Sequence, residues 1–281
     1  MPEPETHTSV DARAEAPSPR TRTIRFGGAM EAVGILWIYL VYSQLRAMAA
    51  GSEQLASQNA RRLLRVEQFF GLSFERTVQE LALRVDWVVA FWNLWYGTVH
   101  FVAPIAVLII LWRKTPARYV RMRNTLLITF ALGLVLFRFF PLMPPRLMPP
   151  SYHYVDTGRQ YFHIDAGLRS ELGADDQPTT SDFAQGANDF AAMPSMHITW
   201  STWVVLALWP LVRRRRFLQT LLVLYPLSIL VCVTVTGNHW FLDAVGGWVV
   251  LAMSYRLALA IERVGIARRS ASAAGSFVPS S

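Results

Sequence analysis

Apolar residues in this chain gather in long blocks rather than at the spacing of a one-sided soluble element. Six blocks are close to the ~20 residues that cross a bilayer as a helix, at 32–49, 87–112, 126–142, 194–212, 217–236 and 240–261. Their length and the short polar breaks between them predict an all-α, polytopic membrane bundle of six helices. The segment after the first block is different. Leu63, Leu64, Phe69, Phe70, Leu72, Phe74, Val78 and Leu81 recur between Arg61, Arg62, Arg65, Glu67, Glu75 and Glu80. Spacings of three and four predict an amphipathic helix over 53–85, broken near Gly71, in the interface or across the mouth of the bundle.

The ends carry little to bury. Residues 1–28, rich in Pro, Thr, Arg and Glu, and the tail 266–281 are expected to be disordered and cytoplasmic, flanking a membrane domain at 29–265. The first apolar block is long enough to stay as an anchor rather than serve as a cleaved leader. The longest connection, 143–192, opens with Pro144, Pro145, Pro149 and Pro150 and continues through Asp156, Asp165, Glu171, Asp175, Asp176, Asp182 and Asp189. A connection of that length within a compact domain suggests a functional loop.

Composition supports a membrane protein: of 281 residues, 53% are hydrophobic and only 16% charged, too apolar for an ordinary soluble domain. The net charge of +8 raises the question of nucleic acid, and its distribution answers it. Arg13, Arg20, Arg22 and Arg25 precede the first block; Arg113, Lys114, Arg118, Arg121 and Arg123 follow the second; Arg213 to Arg216 follow the fourth; Arg263, Arg268 and Arg269 follow the last. These are alternate connections. By the excess of Lys and Arg in cytoplasmic loops, both termini are expected inside and 143–192 outside a multi-pass cell-membrane protein. The five arginines of 52–86 run against the rule without reversing it. The expected partner is therefore the membrane and not nucleic acid. Cys232 is the sole cysteine and lies inside a block, which excludes a disulfide framework or thiolate metal site. No Gly-rich nucleotide loop or H-E-x-x-H cluster occurs, so neither cofactor nor metal is expected.

Two stretches carry candidate chemistry: A-A-M-P-S-M-H at 191–197 and T-G-N-H-W-F-L-D at 236–243. Each opens a long apolar block, which puts a histidine where a membrane helix meets water. Asn238 is a good helix cap, predicting His239 in a first helical turn with Asp243 four residues on, on the same face. A carboxylate there fixes the imidazole tautomer and supports the cation formed when the other nitrogen reacts. A purely structural His–Asp bridge is the alternative, but ionisable groups in spans are costly and usually functional. Pro194 suits a first helical position, so Ser195 and His197 are predicted beside free backbone N–H groups that favour phosphate. Arg138, near the end of the third block, and Arg146, among prolines, are candidate phosphate ligands because a guanidinium grips two oxygens at once. Either could instead snorkel to the headgroup zone. His100 and Asn93 could line a polar cavity, and His153, His163, Tyr152, Tyr154 and Asp156 could meet a headgroup. The ten tryptophans fall mostly near block ends, as interface anchors do.

Taken in order, P-P-R-L, A-A-M-P-S-M-H and G-N-H-W-F-L-D resemble the motifs of the type-2 phosphatidic acid phosphatase superfamily, most of all its inositol-phosphorylceramide-synthase-like (inositolphosphotransferase) branch. The resemblance covers roughly 87–261. It implies a six-helix bundle, metal-independent catalysis through a phosphohistidine, and a lipid phosphate or phospholipid headgroup as substrate, with inositol, a sugar or water as acceptor. It implies His239 as nucleophile, Asp243 as its orienting partner, His197 as general acid, and Ser195 and Arg146 as phosphate ligands. Arg138 stands roughly where the first motif has a basic residue, at an interval one residue longer than usual. Where the third motif usually has arginine this chain has Val233, as the synthase-like branch tends to. Transfer is the reading favoured by that branch, with lipid phosphate hydrolysis close behind; a non-enzymatic lipid carrier and a vanadate haloperoxidase are the more distant alternatives.

Overall fold

In a computed structural model the described residues are 28–49, 51–158 and 188–275. Of the stretches expected to be disordered, 1–28 and 266–281, residues 1–27 and 276–281 lie outside them, as does the middle of the outer loop with His163. Among the described residues the order is α1 (Gly28–Met48), α2 (Glu53–Phe69), α3 (Glu75–Ala82), α4 (Asp86–Lys114), α5 (Pro116–Phe139), α6 (Met196–Leu208), α7 (Arg216–Val235) and α8 (Phe241–Gly275). No strand forms among them beyond an isolated parallel bridge, Leu142 with Ala191.

Four helices, α4, α5, α7 and α8 as far as Arg268, are long and apolar enough to cross a membrane. A fifth is reached if α1 and α2 count as one span bent by 93°. Six were expected, and the difference falls on two blocks. The block at 194–212 gives α6 only 13 residues before a 3-10 turn at Trp209–Leu211, where Pro210 cannot continue the helical hydrogen bonding. The first block turns sharply into α2, whose Glu53, Arg61, Arg62, Arg65 and Glu67 make it too charged to cross lipid alone. At the other end, α8 runs past 265 to Gly275, through an alanine- and arginine-rich stretch that lacks proline.

Short as it is, α6 sits at the centre, packed against α4, α5, α7 and α8. Met196, Ile198, Trp200, Trp203, Val204 and Ala207 bury its faces, and Trp203 donates its indole N–H to the Met122 carbonyl at 3.0 Å. Gly247 lets α8 come close: a Cβ there would stand 2.7 Å from the Ser195 carbonyl oxygen and from Thr199 Oγ1. The outer surface is apolar, with Trp87, Leu94, Val102, Phe217, Leu257 and Ile261 exposed, as a lipid-facing wall requires.

The two ends of the bundle differ. At the C-terminus of α6, Arg118 donates to the carbonyls of Ala207 (2.8 Å) and Leu206 (2.5 Å), and Arg121 forks onto Glu262 at 2.7 and 3.1 Å. At the N-termini of α6 and α8 stand the two motif stretches. Over this end, the Ala56, Ala60, Leu63 and Leu64 face of α2 packs on Leu142, Met143, Met148, Ala192 and Trp240.

Candidate active site

The turn from α7 to α8 holds the first histidine. Gly237 adopts φ +65°, a left-handed conformation that favours glycine, and a Cβ there would also lie 2.9 Å from Gln79 Nε2 and 3.2 Å from Arg146 Cβ. Asn238 does not cap α8. It accepts from Arg146 Nε at 3.0 Å and donates to Thr236 Oγ1 at 2.8 Å. The helix instead begins at Phe241, and Asp243 Oδ2 reaches back to accept the Trp240 N–H at 2.9 Å. His239 therefore lies just ahead of the first turn rather than within it.

The same carboxylate oxygen is 3.2 Å from His239 Nδ1, while His239 Nε2 is 3.3 Å from His197 Nδ1. An ionised carboxylate only accepts, so the pairing assigns the His239 proton to Nδ1 and leaves Nε2 to accept from His197 Nδ1–H. His239 and Asp243 are both buried. His197 sits in the first turn of α6, capped by Ser195, whose hydroxyl accepts from the Ile198 N–H at 3.4 Å. The Ser195 N–H donates to the Asp243 carbonyl at 3.0 Å, tying the two helix starts together. Across the ring of His197, Tyr96 stacks at 4.2 Å and His100 at 3.8 Å between centroids, and His100 stacks in turn on Trp200 at 4.3 Å.

Arg146 is held by four hydrogen bonds. Its backbone N–H donates to the Gly237 carbonyl (2.8 Å) and its side chain to Asn238, to Asp156 Oδ2 (2.9 Å) and to Asp189 Oδ1 (3.2 Å). Burial disfavours its charge, but Asp156, Tyr96 and Asp189 outweigh this and the pKa is raised. The Asp156 loop is fixed by Gln79, which binds both the N–H and the carbonyl of Val155 (2.9 and 3.0 Å), and by Asn93, which donates to Thr157 Oγ1 at 3.1 Å.

A cavity of about 330 Å³ brings His197, His239, Arg146 and Asn238 to one space, with His100 and Tyr96 beside them. Tyr39, Tyr42 and Arg46 of α1 close another flank. Two candidates stand apart: Ser195 is fully buried as the cap of α6, and Arg138 is exposed at the end of α5, outside the residues that line the cavity. Val233, in the position of the superfamily's arginine, is buried among Ile198, Ile229 and Ala244.

Local spacing along the chain does not mark two buried acids. Glu67 and Glu75, 0% and 1% exposed, accept the backbone N–H groups of Leu242 (2.8 Å) and Phe241 (2.7 Å), at the start of α8. Acidic groups are favourable at a helix N-terminus, where they offset its dipole. Burial first, then the neighbouring Glu75 carboxyl, push Glu67 up to about 9, and burial likewise raises Glu75. The pair thus retains a proton at neutral pH. Read along the chain, these acids are the polar face of an amphipathic helix; only the packing of α2 and α3 against α8 buries them. Arg46 and Asp189 were equally unmarked as site residues.

A family model described as the PAP2 superfamily matches residues 61–257. The match is to the superfamily and does not single out the inositolphosphotransferase branch. No curated protein and no solved structure gives a significant match. The matched segment holds His197, His239, Asp243 and Arg146 together with every helix from α3 to α7, and the chain belongs to the PAP2 superfamily.

Proposed function

We propose that this protein is an integral-membrane phosphotransferase that takes a phosphoryl group from a lipid phosphate ester through a phosphohistidine on His239. The observation that carries the reading is the Asp243–His239–His197 array, with contacts of 3.2 and 3.3 Å at the two ring nitrogens of His239. Asp243 holds the proton on Nδ1, which leaves the Nε2 lone pair as nucleophile. That lone pair is covered by His197 Nδ1–H, so the incoming phosphate must part the two rings. Nε2 then bonds phosphorus, the P–O ester bond breaks, and His197 protonates the departing alkoxide. His197, now a base, takes a proton from the acceptor hydroxyl as the P–N bond breaks. Such acid–base assistance contributes about 10²–10⁴ in rate. Arg146 grips the phosphate oxygens, and the start of α6 beyond Ser195 adds backbone dipole. Arg138, outside the cavity, would meet a headgroup only at the rim.

The acceptor on this reading is an inositol or sugar hydroxyl, supported by the branch-like Val233; water in its place gives a lipid phosphate phosphatase, the reading closest to the superfamily itself. The arginines gathered at the end of the bundle away from the site support an extracytoplasmic active site with cytoplasmic termini. The test is a panel of labelled lipid phosphates and phosphoinositides offered to detergent-purified protein, with and without free inositol. A new phospholipid marks transfer, and orthophosphate without one marks hydrolysis. Full activity of His239→Ala would exclude the covalent route.

A further inference from the structure

We propose that Arg46, on α1 and outside the family-matched segment, is the anion ligand that supplies the positive charge a phosphate needs in this cavity. The proposal deepens the phosphotransfer reading and rests on it for the identity of the lipid substrate.

Two arginines, Arg46 and Arg146, line the cavity. Arg146, the guanidinium that the motifs mark, already faces two carboxylates, Asp156 at 2.9 Å and Asp189 at 3.2 Å. Its guanidinium is thus shared with two carboxylates and is not free to hold a phosphate alone. The superfamily's other arginine position is Val233, buried in the apolar core, and Arg138 lies outside the cavity. Arg46 does line it, together with His197 and His239. Among the described residues Arg46 pairs with no carboxylate; its one hydrogen bond is a long donation to the Asn188 carbonyl, at 3.4 Å. It is half-buried, so its field is only partly screened. A second donor waits beside it: Asn188, 3% exposed and also lining the cavity, has a side-chain N–H₂ with no partner among the described residues.

The placement of α1 serves this role. Glu31 near its start accepts from Tyr119 Oη at 2.6 Å and from Arg123 of α5, and Tyr42 stacks on Phe130 at 4.6 Å. The helix is thereby pinned along α5 with its last turn, and Arg46, at the cavity.

The ligand class is a tetrahedral phosphate oxyanion, whether free or esterified in a lipid headgroup. Purified full-length protein in detergent is titrated calorimetrically with inorganic phosphate and with tungstate, and lipid phosphate turnover is measured in parallel. Arg46→Gln is expected to weaken anion affinity and kcat/KM by about ten- to a hundredfold, the range for a hydrogen bond to a charged group, and Arg46→Lys by less. Asp189→Asn, which releases Arg146, is expected to restore part of the anion affinity to Arg46→Gln. Wild-type anion affinity in Arg46→Gln overturns the proposal, including when turnover alone falls, because α1 then acts only through packing. Absence of anion binding to the wild-type protein overturns it as well. Anion binding that depends on Arg46 in a protein that turns over no lipid phosphate would uphold the anion site and sink the phosphotransfer reading.

Discussion

Asp243→Asn separates catalysis from architecture. The amide is nearly isosteric with the carboxylate and keeps an oxygen where Oδ2 accepts the Trp240 N–H at 2.9 Å, so the start of α8 is preserved. What disappears is the negative charge beside an imidazole that, in the proposed mechanism, becomes cationic as Nε2 bonds phosphorus. At the observed 3.2 Å, two unit charges at an effective dielectric of ~20 interact by about 5 kcal/mol, and by about 4 kcal/mol when the cation is spread over the ring at ~4 Å. About 4 kcal/mol is roughly three orders of magnitude in rate. The expectation is a kcat lower by about 10³ with KM little changed. Removing a buried charge whose Oδ1 has no partner among the described residues should leave the melting temperature level or raise it. The assay is phosphate release or transfer from a labelled lipid phosphate in detergent, with thermal unfolding followed on the same preparations. A variant that melts like wild type and keeps kcat within tenfold would refute the reasoning and leave the His239–Asp243 contact a structural one.

Three further outcomes are expected. Glu67 has a folded-state pKa raised from 4.5 to about 9, so the stability from its held proton is present at low pH and lost as pH rises toward that value; Tm should fall between pH 5 and 9, and Glu67→Gln should flatten the fall. Gly237→Ala forces a Cβ into a φ of +65° against Gln79 and Arg146, costing about 1–2 kcal/mol from the backbone, a loss of roughly 2–8 °C in Tm that differential scanning should show, with reduced activity. Val233→Arg would not restore the superfamily's missing arginine: it buries an unpaired guanidinium at a position 1% exposed, and size-exclusion chromatography should show aggregate rather than a folded peak.

Much of the candidate site was legible because its key contacts are local. His239 and Asp243 are four residues apart, and a helix or a near-helical turn brings them together in either case, so a wrong helix start did no harm to the pairing. The basic residues between blocks were equally visible, and Arg118 and Arg121 do sit at the end of the bundle away from the motifs. Apolar length predicts a span at 194–212, where α6 has only 13 residues and packs against helices on its sides. Facing was harder still. Phe137 is buried and its neighbour Arg138 exposed, a difference of one helical step that a block of phenylalanines does not reveal. Glu67, Glu75 and Arg46 are defined by which helix lies against which, and such long-range packing leaves no trace in local spacing.

The flank formed by α1 has a practical consequence for anyone who trims this protein. A polypeptide cut at the family boundaries, 61–257, would keep every signature histidine and aspartate while discarding Tyr39, Tyr42 and Arg46 from the chamber wall. It would also shed Ala56 and Ala60, wholly shielded in the intact molecule. Such a fragment would look intact by its motifs, yet its chamber would lie open on one side.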